Sequence, residues 1–262
     1  MPENQNNVPN PTKTVIDDEQ LKRMLNQSEP SFFERNRFRM VTLILIALNV
    51  IVFAVETVLS GFRVNVSTSV LVQMGAMYAP WMQSAADLYR FVTPMFLHMD
   101  LMHLGFNMVA LYSVGEVLER VLGKGNFLAL YFIAGITGNA VSYAADVFLG
   151  GGSTVSAGAS TSVFGLFVAV ALLGLLHKGN RSMFAQYSKG MLGIIAVNVA
   201  YTFLVPGISV SGHLGGALGG LVAMFMVPSK SLRVANVARV AVGVLWVASL
   251  AWLLASQGLL SL

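Results

Sequence analysis

The chain has no cysteine among its 262 residues, so disulfides, thiolate nucleophiles and Cys-ligated metals are excluded. Charge is scarce as well: only 11% of residues are Asp, Glu, Lys or Arg, where a soluble domain carries roughly 25%. A surface so poor in charge cannot lie mostly in water. The sixteen Lys and Arg exceed the twelve Asp and Glu by only four, and they sit mostly between hydrophobic runs. That placement bears on membrane topology and gives no sign of a nucleic-acid partner. Histidine is confined to His98, His103, His177 and His213, so a zinc site would need a spacing argument.

Apolar residues are abundant, at 55% of the chain, and they come in long runs. The composition predicts an all-α polytopic membrane protein. Seven spans are expected, near Val41–Leu59, Leu101–Leu118, Phe127–Leu149, Gly158–Leu176, Met191–Val205, Gly212–Val227 and Val234–Ala255. Several are shorter than the roughly 20 residues that cross a bilayer comfortably. Residues 1–31 are rich in Asn, Pro, Gln and acidic side chains, which predicts a disordered or loosely folded tail. No apolar run near Met1 reads as a cleavable signal. The connection Ser60–Thr93 is long for a loop and contains the apolar stretch Val70–Trp81, which suits a segment partly embedded in the outer interface.

Charge placement tests the span count. Arg35, Arg37 and Arg39 precede the first span, Arg120 and Lys124 follow the second, Lys178, Arg181 and Lys189 follow the fourth, and Lys230 and Arg233 follow the sixth. With seven spans these segments share one side. By the positive-inside rule the N-terminus is then cytoplasmic and the C-terminus outside.

This parity gives the second, fourth and sixth spans the same direction, with their N-terminal ends at one membrane level. Those ends carry His98, His103 and Asn107, then Ser160, then His213. His103 and Asn107 are four apart and share a helix face. A hydroxyl nucleophile needs a base within hydrogen-bond reach, and Ser160 with His213 supplies that pair. His98, Asn107 and the backbone N–H of Ser160 are candidate donors to an oxyanion. No Asp stands out as a third member. Phe164, one turn after Ser160, could stack on the His213 ring. Glycines 212, 215, 216, 219 and 220 form two overlapping small-xxx-small patterns that let the sixth span approach its neighbours closely. Taken singly, Ser160 could equally be a helix cap or an interhelical hydrogen-bond partner. His103 could be interhelical glue, and Asn49, Glu56 and Asp146 read as structural or interfacial.

These residues resemble the rhomboid family of intramembrane serine proteases. Gly158-Ala159-Ser160 with Phe164-Gly165 resembles the family's Gly-x-Ser-Gly nucleophile motif, and His98 to Asn107 resembles its pattern of two histidines and an asparagine. His213 followed by Gly215, Gly216, Gly219 and Gly220 resembles the base motif, Tyr89-Arg90 resembles the Trp-Arg pair, and Glu119-Arg120 matches a charged pair ending the second span. The resemblance implies a rhomboid-like six-helix catalytic core over 32–228 and an additional C-terminal transmembrane helix over 229–262. It also implies a Ser160–His213 dyad, an oxyanion site using His98 and Asn107, supporting roles for His103, Phe164 and Gly158, and no metal or cofactor. The segment after the first span would be a membrane-embedded hairpin, and Pro206–Ser211 would cap the site. The substrate would be the transmembrane helix of another membrane protein, cut near the outer face of the plasma membrane. Thr161 stands where the family usually has Gly, and Gly212 where it usually has Ala. Thr161 is the feature that favours the alternative, a rhomboid-like pseudoprotease that binds membrane proteins without cleavage. A solute transporter fits less well, because the polar cluster lies near one face and no pair of broken helices occurs in matching halves.

Overall fold

The computed structural model describes Asp17, Glu19 and residues 31–150, 154–179, 181–204 and 208–260. The expected tail over 1–31 falls almost wholly outside these residues. Two compact units divide between Arg37 and Phe38. In the first, Ser31 caps the short helix Phe32–Arg35 reciprocally: Glu34 N–H donates to Ser31 Oγ and Ser31 N–H to the Glu34 carboxylate.

The second unit is helical. Its helices are α1 (Met40–Leu59), α2 (Thr68–Gln73), α3 (Leu101–Leu122), α4 (Lys124–Leu149), α5 (Ser160–Leu176), α6 (Arg181–Gly190), α7 (Leu192–Leu204), α8 (Val210–Met226) and α9 (Asn236–Ser256). Each expected span contains one apolar helix, and α1, α3, α4 and α9 are long and apolar enough to cross a membrane, while α5, α7 and α8 are shorter. The chain is a polytopic helical membrane protein. The second span runs one turn further than expected, to Leu122, because the turn carrying the charged pair stays helical: Glu119 is buried, and its carboxylate accepts from Val41 N–H, Thr42 N–H and Thr42 Oγ, each at 3.0 Å. These donors belong to the first turn of α1, whose N–H groups have no intrahelical acceptor. Glu119 therefore ties the start of α1 to the end of α3 and adds negative charge where the helix dipole favours it. Glu119→Gln, which keeps one acceptor but turns an NH2 toward donors, is expected to cost about 1–3 kcal/mol, read as a lower unfolding temperature in detergent.

Burial follows the pattern of each helix. A helix that is apolar all round belongs in the interior, and α5 is buried from Ser160 through Val163 and at Gly165, Leu166, Phe167, Ala169, Val170 and Leu173. It packs with α3, α4 and α8 around Leu111, Val114, Leu118, Leu130, Tyr131 and Met224. By contrast α9 buries only Leu253 and sits at the edge, held by the Trp246 indole N–H, which donates to Thr137 Oγ of α4 at 2.9 Å.

The two glycine patterns of α8 serve two different neighbours. A Cβ on Gly216 would lie 2.8 Å from the Thr161 carbonyl carbon, and one on Gly220 would lie 2.6 Å from that of Gly165, both on α5. On the other face, a Cβ on Gly215 would meet Val141 at 2.5 Å and one on Gly219 would meet Thr137 at 2.7 Å, both on α4. The spacing of four puts each pair on one face, and α8 is thus wedged backbone to backbone between α4 and α5.

The connection after α1 is folded onto the end of the bundle where α5 begins. It contains α2 and three short 3-10 turns, Ala79–Trp81, Ala85–Phe91 and Thr93–Phe96. Arg90, buried, donates through Nη1 to the carbonyls of Val72 and Ala76 at 2.8 and 2.9 Å, with its guanidinium 5.1 Å from the rings of both Trp81 and Tyr89. Nearby, Asp87 is held below the usual carboxylate range, first by the Gln83 N–H it accepts. Met77 and Ser156 exchange two backbone hydrogen bonds at 2.9 Å, and Gly158 N–H donates to Pro94 O at 2.8 Å. These bonds fasten the segment to the chain entering α5.

Candidate active site

Ser160 is the first residue of α5, and the N-cap position belongs to Ala159, which makes no side-chain cap. The cap reading of Ser160 therefore does not apply. Its hydroxyl faces another helix: Ser160 Oγ lies 2.6 Å from Nε2 of His213 on α8. Both side chains are buried. The approach of α8 to α5 at Gly216 and Gly220 brings these two within reach, since any side chain at those positions would separate the helices. Phe164 stacks on the His213 ring with centroids 4.2 Å apart and planes at 12°, so the imidazole can turn little about its bond to Cβ.

His103 and Asn107 are buried on α3, and His98 is buried in the turn before it. Asp100 caps α3 by accepting from His103 N–H at 2.8 Å. The His98 and His103 rings lie 5.2 Å apart, and Tyr201 of α7 lies 6.0 Å from His103. Neither ring nitrogen of His98 or His103, nor Nδ2 of Asn107, has a hydrogen-bond partner among the described residues. A buried donor without a partner costs free energy, which makes these groups candidates for a reacting oxygen. His103 also borders the nucleophile. A Cβ on Gly158 would lie 2.7 Å from His103 Cε1 and 3.1 Å from Ser160 Oγ, and Gly158 itself has φ +141°, a conformation side chains rarely adopt. Gly158 thus admits both groups to one small space.

Two residues of the site, Thr202 and Gly138, were not anticipated, and Glu56 was expected only in a structural or interfacial role. Glu56 of α1, buried, accepts the His98 backbone N–H at 3.1 and 3.2 Å and so anchors the turn that carries this histidine. Thr202 of α7 lies 2.7 Å from His213 Nδ1. Gly138 of α4 answers the question raised by Thr161: a Cβ there would lie 2.7 Å from Thr161 Cβ and 2.8 Å from Gly212 O. A Cβ on Gly212 would touch Thr161 Cγ2 at 3.4 Å. The threonine beside the serine occupies space left by glycines on α4 and α8, so its volume does not force α5 and α8 apart. The only advance sign of Thr202 was its spacing of four from Asn198 in an otherwise apolar span. Part of the expected cap Pro206–Ser211 lies outside the described residues. Its end is structured: Ser209 caps α8 through Gly212 N–H at 3.0 Å and bonds to Ser142 Oγ at 2.8 Å.

Comparison with known proteins bears on the family of the chain. Rhomboid protease GluP of Bacillus subtilis (strain 168) is 36% identical over 183 residues, which cover 70% of this chain and 34% of that protein. Putative rhomboid protease YdcA of the same organism is 34% identical over 145 residues, 55% of this chain and 70% of that protein. Rhomboid protease AarA of Providencia stuartii is 29% identical over 238 residues, 81% of this chain and 84% of that protein. The chain thus spans about a third of the length of the first of these relatives. A family model for the Rhomboid domain matches residues 85–230, a stretch that holds Ser160, His213 and every turn of the helices that position them, and by this match to more than half its length the chain belongs to the rhomboid family.

Proposed function

We propose that the protein is an intramembrane serine endopeptidase that cleaves other membrane proteins through a Ser160–His213 dyad. The observation that carries this reading is the 2.6 Å contact between Ser160 Oγ and His213 Nε2 from two buried helix starts. Ser160 Oγ attacks the scissile carbonyl carbon while its proton passes to His213 Nε2. The tetrahedral oxygen accepts hydrogen bonds from the Ser160 N–H, free of any intrahelical acceptor at the first turn of α5, and from His98 and Asn107. The carbon–nitrogen bond then breaks as His213 returns the proton to the leaving amine. Water, deprotonated by His213, hydrolyses the ester and restores Ser160. His103, Phe164 and Gly158 support the geometry around the dyad, and the chemistry needs no metal or cofactor.

The substrate is a transmembrane segment rich in small and helix-breaking residues at the cut, since an intact helix keeps its carbonyls in hydrogen bonds. The basic segments put the N-terminus in the cytoplasm and the C-terminus outside, so the dyad lies toward the outer face of the plasma membrane. In this reading 32–228 is the catalytic core and 229–262 a peripheral seventh helix.

The test is labelling of the purified protein in detergent with a serine-reactive fluorophosphonate, alongside cleavage of a single-span test substrate. Labelling and cleavage that both vanish in Ser160→Ala are expected. A wild-type protein that neither labels nor cleaves would replace this reading with that of a pseudoprotease binding membrane proteins intact.

A further inference from the structure

We propose that Thr202 is a positioning residue for His213: it holds the imidazole in the tautomer that can take a proton from Ser160, the task an aspartate performs in a triad. The proposal rests on the serine-protease reading above and concerns a third helix that this reading does not use.

The count of protons around Thr202 fixes the tautomer. Thr202 Oγ lies 2.8 Å from the Asn198 carbonyl oxygen, one turn earlier on α7, and 2.7 Å from His213 Nδ1. A hydroxyl has one proton to give, and a carbonyl oxygen can only accept. The Thr202 proton is therefore committed to Asn198, because two oxygen lone pairs facing each other at that distance would repel. What Thr202 presents to His213 is a lone pair, so Nδ1 must carry the hydrogen. In a neutral imidazole the other nitrogen is then unprotonated. That nitrogen is Nε2, which faces the Ser160 hydroxyl at 2.6 Å. A relay runs from Ser160 O–H to His213, to Thr202, to the Asn198 carbonyl, and every proton in it points away from the serine. The opposite tautomer would put a hydrogen on Nε2, aimed at the oxygen that has to attack.

Burial makes the choice matter. Thr202, His213 and Ser160 are all buried, so bulk water does not equilibrate the tautomers freely at Nδ1. When Nε2 takes the serine proton, the imidazolium keeps its Nδ1–H bond to a neutral acceptor. Phe164 fixes the ring plane and Thr202 fixes the rotation and the proton, from α5 and α7 respectively. The machinery of this chain thus draws on α3, α5, α7 and α8.

The experiment compares Thr202→Val, which keeps the shape and removes the oxygen, with Thr202→Ser, which keeps the hydroxyl. Thr202→Val is expected to lower kcat for the test substrate by roughly 10–100-fold, the loss of one hydrogen bond to a group that becomes charged. KM should stay within about twofold, since Thr202 is buried and meets His213 at Nδ1, away from the Nε2 that faces Ser160. Thr202→Ser should recover most of the rate. In protein carrying 15N-histidine, the His213 signals, assigned by their absence in His213→Ala, should show a protonated Nδ1 and a bare Nε2 in the wild type and a mixture in Thr202→Val. A Thr202→Val rate within twofold of wild type with unchanged nitrogen signals would overturn the proposal, as would a Thr202→Ser variant as slow as Thr202→Val, which would mean that the side chain acts by packing. A wild type that fails to cleave would sink the protease reading instead, and the nitrogen spectrum would still decide the tautomer.

Discussion

Removal of Ser160 or of His213 is expected to lower kcat by up to about 10⁶-fold, and the double variant Ser160→Ala/His213→Ala should be no slower than the worse of the two. The reason lies in the single 2.6 Å contact. Serine without a base is a poor nucleophile at neutral pH, and the base without serine has only water to activate. Each side chain works only through the other, so their effects do not add. The measurement is kcat for a single-span substrate in detergent or liposomes for wild type, both single variants and the double. Multiplying losses would mean that Ser160 and His213 act independently, and the dyad reading would fall. The residual rate of the double variant over an uncatalysed control reports what His98, Asn107 and the first turn of α5 supply alone.

The second large effect concerns the packing that makes the dyad. Gly220→Ala is expected to destabilise the bundle by about 3 kcal/mol or more, at the upper end of what overpacking costs. A Cβ there would lie 2.6 Å from the Gly165 carbonyl carbon. The obstacle is main chain in the middle of a helix, with no rotamer to change. To make room, α8 must move away from α5, and the Ser160–His213 contact opens with it. Activity should therefore fall together with the unfolding temperature. Gly243→Ala on α9 is the matched control, because its nearest atom would be Met226 Cε at 3.7 Å. There the substitution should be neutral or slightly stabilising, as alanine favours a helix by about 1 kcal/mol over glycine. Equal tolerance of both changes would refute the account of how α8 is held.

Much of the architecture was legible without coordinates because the bilayer imposes it. A backbone that must satisfy its own hydrogen bonds in hydrocarbon has few options, so the apolar runs marked the helices to within a turn. The boundary at Leu118 failed because charge was taken as the end of the helix, whereas Glu119 turns inward to cap α1. The glycines of α8 read as two overlapping small-xxx-small patterns with no neighbour assigned to either. Their division between α4 and α5 depends on where those helices stand, which no spacing within α8 encodes. Thr161 stood out as a departure from the family's glycine beside the serine, and the niche that holds it is made by Gly138, 23 positions earlier, and by Gly212.

The amino-acid order by itself determined that this is a polytopic helical membrane protein, with the seven apolar helices found among the described residues, and it singled out the polar residues expected at one level of the bundle. Both follow from local rules, the length and polarity of each run and the alternating direction of successive spans. Only the tertiary structure decided what those polar residues do to one another. Whether Ser160 caps a helix or meets a base depends on a separation of 2.6 Å between side chains 53 positions apart. Which nitrogen of His213 bears the hydrogen depends on a threonine from a third helix. Distances of that order are fixed by the close approach of backbones at glycine and by stacked side chains, which are properties of the packed bundle and of no single segment.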